Sequence, residues 1–192
     1  MSNDFIIQLY KDQRTVFSLQ EIAMLVDESD FSKMKQRVSY YVRTRKIKRL
    51  RKGVYAKENY KIEEAACKIF TPSYISLGYV LRKEGIIFQY DTGITLISYL
   101  SRKIEVDNHS FIYRKLKNDI LYNSSGIVMD NNGVNTATPE RAFLDLLYLN
   151  KTFYVDSFSS LNENSIFELL PLYQSKSLIK RVTDIYNENR YQ

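Results

Sequence analysis

The 192-residue sequence predicts an α+β fold, with a smaller N-terminal domain and a larger C-terminal domain that combines helices with a mainly antiparallel sheet. Helical spacing of apolar side chains occurs near both ends of the chain. Six short runs of β-branched and aromatic residues lie between them, without the regular strand-helix alternation of a parallel sheet. Two of these runs are joined by Asn132-Gly133, a pair that is typical of a tight hairpin.

The first predicted helix follows Ser18. This residue is a suitable N-cap, and Glu21 completes the pattern of a capping box. The polar stretch 27–30 interrupts the apolar spacing, and a second helix is expected to begin there with Asp30 or Ser32 as its cap. Its inward side consists of Met34, Val38, Tyr41 and Val42. Two short helices joined by a tight polar turn indicate a helix-turn-helix.

Basic residues are concentrated around this second helix. Residues 31–57 contain eleven Lys or Arg and no Asp or Glu, which leaves 17 basic and 22 acidic residues, a net charge of −5, for the other 165 positions. Such a distribution indicates a polyanionic partner, and a solvated charged surface or an anionic membrane is the alternative.

The outward side of the second helix carries side chains that can contact DNA bases. They are Ser32, Lys33, Gln36, Ser39, Tyr40 and Arg43. We expect Arg37, Arg45 and Lys46 beside them to contact phosphates. The following run 47–56 predicts a hairpin that turns at Gly53 and presents Lys48, Arg49, Arg51 and Lys52. Residues 1–57 are therefore predicted to form a winged helix-turn-helix that binds double-stranded DNA.

The second domain is predicted to span residues 62–192. A helix begins at Ile62, and Thr71-Pro72 is expected to open another that ends at Gly85. The predicted strands then occupy 86–90, 94–99, 104–106, 111–116, 126–129 and 134–137. Thr138-Pro139 begins a helix that ends at Leu149, and the tail from Ser165 is helical.

The residues offer little for catalysis or metal binding. Cys67 is the only cysteine and His109 the only histidine, which excludes an internal disulfide and a multi-thiolate zinc site. We expect Cys67 to fill core space, His109 to lie in a turn, and Arg141 to pair with Asp145 along one helix. The sequence thus predicts a protein that is not an enzyme and uses no cofactor or metal. Without a signal pattern or an apolar run long enough for a membrane span, the expected location is the cytoplasm.

Three segments carry a family resemblance. They are Arg51-Lys52-Gly53-Val54-Tyr55 at the end of the predicted wing, Ser73-Tyr74-Ile75-Ser76-Leu77, and Thr138-Pro139-Glu140-Arg141-Ala142-Phe143-Leu144-Asp145-Leu146-Leu147. In this order they resemble the AbiEi family, the antitoxins of bacterial type IV toxin-antitoxin systems associated with abortive phage infection.

The resemblance implies a promoter-binding autorepressor whose C-terminal domain counteracts a nucleotidyltransferase-like toxin without needing a stable complex with it. One alternative is a stand-alone transcriptional regulator that senses a small molecule through its C-terminal domain. Another is an enzyme that acts on a nucleic acid or on the toxin, with Glu140, Asp145 and His109 as candidate catalytic residues.

Overall fold

The computed structural model describes residues 3–88, 92–150 and 155–189. These ranges form an α+β protein with nine α-helices, one short 3-10 helix and nine strands in two sheets. No helix among the described residues combines the length and the apolar character that crossing a membrane requires.

The N-terminal part contains three helices around a small antiparallel sheet. Its elements are α1 (Asn3–Lys11), β1 (Val16–Ser18), α2 (Leu19–Leu25), α3 (Phe31–Arg43), β2 (Lys48–Arg51) and β3 (Val54–Ala56). The strands lie in the order β1-β3-β2, so β2 is an edge strand. We call β2, β3 and the turn between them, residues 48–56, the basic hairpin. Its turn contains Gly53 with φ +82°, as the sequence predicts.

Both predicted helices of this part form where the sequence places them. Ser18 Oγ accepts a hydrogen bond from the Glu21 backbone N–H, and the Glu21 carboxylate accepts one from the Ser18 N–H, which completes the capping box. The Asp30 carboxylate accepts from the backbone N–H groups of Ser32 and Lys33 and so caps α3. The sequence offered Asp30 and Ser32 as alternative caps of this helix, and the structure shows that the cap is Asp30.

Helix α1 is an element that the sequence did not predict. Its Phe5 and Leu9 are buried together with Met34 and Val38 of α3. Phe5 also stacks on Tyr41, with ring centroids 4.7 Å apart. The inward side of α3 is thus covered by α1 as well as by α2 and the small sheet.

The C-terminal part is built on a mixed six-stranded sheet. Its elements are α4 (Ile62–Ile69), β4 (Ser73–Ile75), α5 (Gly78–Lys83), β5 (Ile94–Ser98), β6 (Arg102–Val106), β7 (His109–Lys115), α6 (Asn118–Leu121), β8 (Ile127–Met129), β9 (Asn135–Ala137), α7 (Pro139–Leu149), α8 (Glu163–Leu169), a 3-10 helix (Leu170–Tyr173) and α9 (Lys176–Asn189). The strand order is β6-β7-β5-β4-β9-β8. Three neighbouring pairs are antiparallel, whereas β5 with β7 and β4 with β9 are parallel.

The predicted helix at Thr71-Pro72 is wrong in its first half. Ser73–Ile75 forms β4, which pairs with β5 on one side and with β9 on the other, and all three residues are buried. The helix begins only at Gly78, and it ends before Gly85 as expected. The backbone of residues 73–75 therefore follows the ladder of the sheet, which outweighs the local cap-and-proline signal.

Two further predictions need correction. Residues 86–88 of the predicted strand 86–90 are not a strand, and Gln89 and Tyr90 lie outside the described residues. His109 is the first residue of β7 and pairs with Val106, so it is not in a turn. The turn itself is Asp107-Asn108.

The two parts of the chain share a core. Val16, Val54 and Ala56 of the small sheet belong to the same buried cluster as Ala65 and Ala66 of α4. The carboxylate of Glu64 on α4 accepts hydrogen bonds from the backbone N–H groups of Thr15 and Val16, at 2.6 and 3.0 Å. Helix α4 therefore joins the small sheet to the larger one through both apolar and polar contacts.

Candidate nucleic-acid interface

A shallow groove runs along the outward side of α3. It encloses about 430 Å³ and is lined by Lys35, Gln36, Ser39, Tyr40 and Arg43. Four of these five residues are on the outward side that the sequence predicts, and none of the five is acidic. The surface offers an amide, a hydroxyl and cationic hydrogen-bond donors side by side, which are the groups that contact base edges and phosphates.

The structure separates the roles of the adjacent tyrosines. Tyr41 is 7% exposed and packs inward, whereas Tyr40 is 50% exposed and lines the groove. The Arg43 guanidinium lies over the Tyr40 ring, 5.8 Å from its centroid. This contact restrains the Arg43 side chain at the rim of the groove, where Arg43 is exposed.

Three of the predicted contact residues on α3 lie outside the lining of this groove. Ser32 and Lys33 are exposed in the first turn of α3, and Lys33 Nζ lies 3.7 Å from the cap carboxylate of Asp30. Arg37 lies over the ring of Phe5 at 5.1 Å and pairs with Glu28 at 3.8 Å. Arg37 is therefore directed toward α1 and the turn before α3.

A larger cleft separates the basic hairpin from the turn between β6 and β7. It encloses about 570 Å³, and Arg45, Lys48 and Arg49 lie on its N-terminal side. Glu58, Glu105 and Asp107 also line it, so the cleft is mixed in charge. Of the predicted phosphate contacts, Arg45 and Arg49 have no ion pair with a described carboxylate, whereas Lys48 does.

Two cations of the basic hairpin are bound to the C-terminal part. Lys48 Nζ lies 2.8 Å from Oδ2 of Asp107. The Arg51 guanidinium donates a 3.3 Å hydrogen bond to the Ile69 carbonyl at the end of α4 and stacks over Phe70 at 4.3 Å. The sequence cannot signal these contacts, because their partners come from distant positions in the chain.

Six cations of the segment 31–57 remain exposed and form neither an ion pair nor a side-chain hydrogen bond with any residue that the structure describes. They are Lys35, Arg43, Arg45, Lys46, Arg49 and Lys52. Lys57, by contrast, is buried and donates to the carbonyl groups of Tyr10 and Asp12. Six of the eleven cations of this segment are therefore available to bind a partner, and the other five are held by groups of the protein itself.

Lys35 is the groove residue that sequence reasoning missed. The same projection at 100° per residue that selects Ser39 places Lys35 one helical turn before it on the same side. The signal was therefore present in the sequence. Lys35 is therefore added to the expected cationic contacts on this side of α3.

Of the three residues that the sequence offered for catalysis, Glu140, Asp145 and His109, the structure buries Asp145. Arg141 and Asp145 are fully buried in α7. Glu140 accepts a hydrogen bond from the Asn162 N–H, and His109 is exposed at the start of β7. Among the described residues no cluster of three or more His, Cys, Asp or Glu side chains could hold a metal ion.

Comparison with models of known protein families gives no match to this chain, and comparison with curated proteins gives none either.

Proposed function

We propose that residues 1–57 form a winged helix-turn-helix that binds double-stranded promoter DNA in the cytoplasm and represses the chain's own operon. The observation that carries this proposal is the groove on α3, where Gln36, Ser39 and Arg43 stand together on a surface free of acidic lining residues. In this proposal α2 and α3 are the helix-turn-helix, and the basic hairpin is the wing.

The dimensions of α3 suit the major groove of DNA. Its 13 residues correspond to about 20 Å of helix, and the major groove is about 12 Å wide, enough to admit one helix. We assign Gln36 to an adenine edge and Arg43 to a guanine edge, since these pairings satisfy both partners with two hydrogen bonds. Ser39 and Tyr40 lie between them and contribute smaller contacts.

The unpaired cations supply the phosphate contacts. Lys35, Arg45 and Lys46 border α3, and Arg49 and Lys52 lie on the basic hairpin. If the six available cations, Arg43 included, contact phosphates or bases, the logarithm of the binding constant falls with the logarithm of salt concentration at a slope of about −5.

The antitoxin part of the proposal comes from the resemblance to the AbiEi family. We propose that the C-terminal part counteracts a nucleotidyltransferase-like toxin encoded next to it, without catalysis and without a stable complex with the toxin. The second and third segments of the resemblance contact each other, because Tyr74 and Ser76 donate hydrogen bonds to Asp145. This contact supports treating the two segments as one unit.

DNA binding is tested with the duplex directly upstream of the chain's own coding sequence and with a random duplex of equal length. We expect tighter binding to the upstream duplex and a salt slope near −5 for both. Lys35→Ala should make the slope shallower by about 1. Lys180→Ala, the same change at an exposed position on α9, should leave the slope unchanged. A slope close to zero would contradict the proposal.

Protection is tested by expressing the full chain together with the product of the neighbouring gene and measuring growth. The full chain carrying Gln36→Ala and Arg43→Ala should lose repression and keep protection, because both residues are on α3. A chain that represses but never protects would instead be the stand-alone regulator, and a neighbourhood without a nucleotidyltransferase-like gene would point the same way.

A further inference from the structure

One cation of the basic hairpin is held by the turn between β6 and β7. Lys48 Nζ lies 2.8 Å from Oδ2 of Asp107, and the same oxygen accepts a 3.2 Å hydrogen bond from the hydroxyl of Tyr60. Lys48 also lies over the Tyr60 ring, 5.6 Å from its centroid. The C-terminal part therefore supplies the carboxylate that neutralises Lys48.

The turn fixes the position of this carboxylate. Asp107 and Asn108 have φ values of +52° and +66°, the combination that a two-residue hairpin turn requires. Strand β6 pairs along its full length with β7, from Val106 with His109 to Arg102 with Tyr113. Asp107 is thus presented at the tip of a well-paired hairpin, directed at β2.

The ion pair between Lys48 and Asp107 is exposed enough for another anion to replace the carboxylate. The side chains of Lys48 and Asp107 are 43% and 45% exposed, and ion pairs at such positions contribute little net stability. A DNA phosphate offers Lys48 the same chemistry as the carboxylate does, a charge-assisted hydrogen bond to an anionic oxygen. Arg49 lines the same cleft as Lys48 and has no carboxylate partner among the described residues, so DNA approaching Arg49 also approaches Lys48.

We infer that Asp107 competes with a DNA phosphate for Lys48, so that the turn between β6 and β7 lowers the DNA affinity of the basic hairpin. This inference rests on the proposed DNA-binding function. The charged groups that line the cleft around the pair are Arg45, Arg49, Glu58 and Glu105. They set the local potential, but among the described carboxylates only Asp107 forms an ion pair with Lys48.

The test compares the full chain with its Asp107→Asn variant on a random 30-base-pair duplex, by fluorescence anisotropy at several salt concentrations. Asparagine tolerates a positive φ, so the turn is retained. Removing the carboxylate releases Lys48, and we expect affinity to rise about 3- to 10-fold at 0.1 M salt and the salt slope to steepen by about 0.9. Asp184→Asn, which adds the same charge at an exposed position of α9, should change affinity by less than about 1.5-fold.

A second background separates competition from a general gain in positive charge. In the Lys48→Gln chain there is no lysine to release, so Asp107→Asn should raise affinity distinctly less than it does in the unmodified chain. Equal gains in the two backgrounds, or no gain in the unmodified chain, would overturn the inference while leaving the proposed function intact. Absence of DNA binding by both the unmodified chain and Asp107→Asn would overturn the proposed function and the inference with it.

Discussion

Arg141 Nε lies 3.4 Å from Oδ1 of Asp145, and both side chains are fully buried in the centre of the C-terminal part. Arg141 also donates to the carbonyl groups of Ile120 and Ser125. The carboxylate of Asp145 accepts further hydrogen bonds from Tyr74, Ser76 and Tyr173. The pair thus ties α7 to β4, to α6 and to the segment after α8, which is a structural role.

Replacing Asp145 should destabilise the fold. Asp145→Ala leaves the Arg141 guanidinium buried without its counter-charge, and we expect a loss of about 3 to 5 kcal/mol in the free energy of unfolding. Urea unfolding followed by circular dichroism measures it. Glu140→Gln, on the same helix, should cost less than about 1 kcal/mol because the amide oxygen can still accept from the Asn162 N–H. An Asp145→Ala chain with normal stability and no protection would instead favour the enzyme hypothesis.

The two arginines of α3 should behave differently on DNA. Arg43 lines the groove, whereas Arg37 pairs with Glu28 and covers Phe5. Arg43→Ala should weaken binding to the upstream duplex by about 1 to 3 kcal/mol and relax the preference over a random duplex. Arg37→Ala should leave that preference unchanged and lower the unfolding temperature slightly. Binding isotherms on the two duplexes check this, and a loss of preference in Arg37→Ala alone would reverse our assignment.

Cys67 should be unreactive in the folded protein. The thiol is buried in α4 and donates to the Asn135 carbonyl at 3.8 Å. Burial raises its pKa from about 9 to about 12. A chromogenic disulfide reagent at pH 8 should therefore react about 100-fold more slowly with the native protein than with protein in urea. Comparable rates in the two states would contradict the buried position.

The raised pKa of Cys67 also leads us to expect that the folded protein loses stability at alkaline pH. Because the folded pKa of Cys67 lies above the unfolded value, the stability that it contributes is complete below pH 9 and is lost as the pH rises toward 12. Tyr113, whose pKa is also raised by burial, acts in the same direction. Urea midpoints measured between pH 8 and pH 11 should fall, and Cys67→Ser should show a shallower decline. A midpoint that is constant over this range would contradict the prediction.

The ion pair of Asp12 with Arg14 leads us to expect that the folded protein loses stability in acid. Hydrogen bonds from Arg14, the shortest of them 2.6 Å, hold the pKa of Asp12 below its usual value near 3.8. A lowered folded pKa means that the contribution is present above the unfolded pKa and is lost as the pH falls through the folded value. Asp12→Asn should cost about 1 kcal/mol at pH 6 and less at pH 2, measured by urea unfolding. The exposed Asp119→Asn is the matched control and should cost little at either pH.

Local signals in the sequence predicted the elements whose ends are determined by their own residues. The capping box at Ser18, the Asn132-Gly133 hairpin, and the helix from Pro139 to Leu149 all form as expected. In each case the side chain or turn residue satisfies nearby backbone groups, so no distant contact is needed.

Predictions failed where distant segments decide the structure. Residues 73–75 became a strand because β5 and β9 flank them, and α1 is stabilised by Tyr41, which lies far away in the sequence. Distant contacts also limited how much of the candidate site could be predicted. Helical periodicity gave the outward side of α3, but the partners of Lys48 and Arg51 lie 59 and 18 residues away and leave no local pattern.

The hydrogen bonds from Thr15 and Val16 to Glu64 have an evolutionary consequence. Because that carboxylate and the surrounding apolar residues belong to both parts, neither part can be transferred to another gene without exposing a surface that is now covered. Recombination that swaps the first sixty or so residues between paralogues must also bring a compatible α4, so we expect the two halves to be inherited as one block.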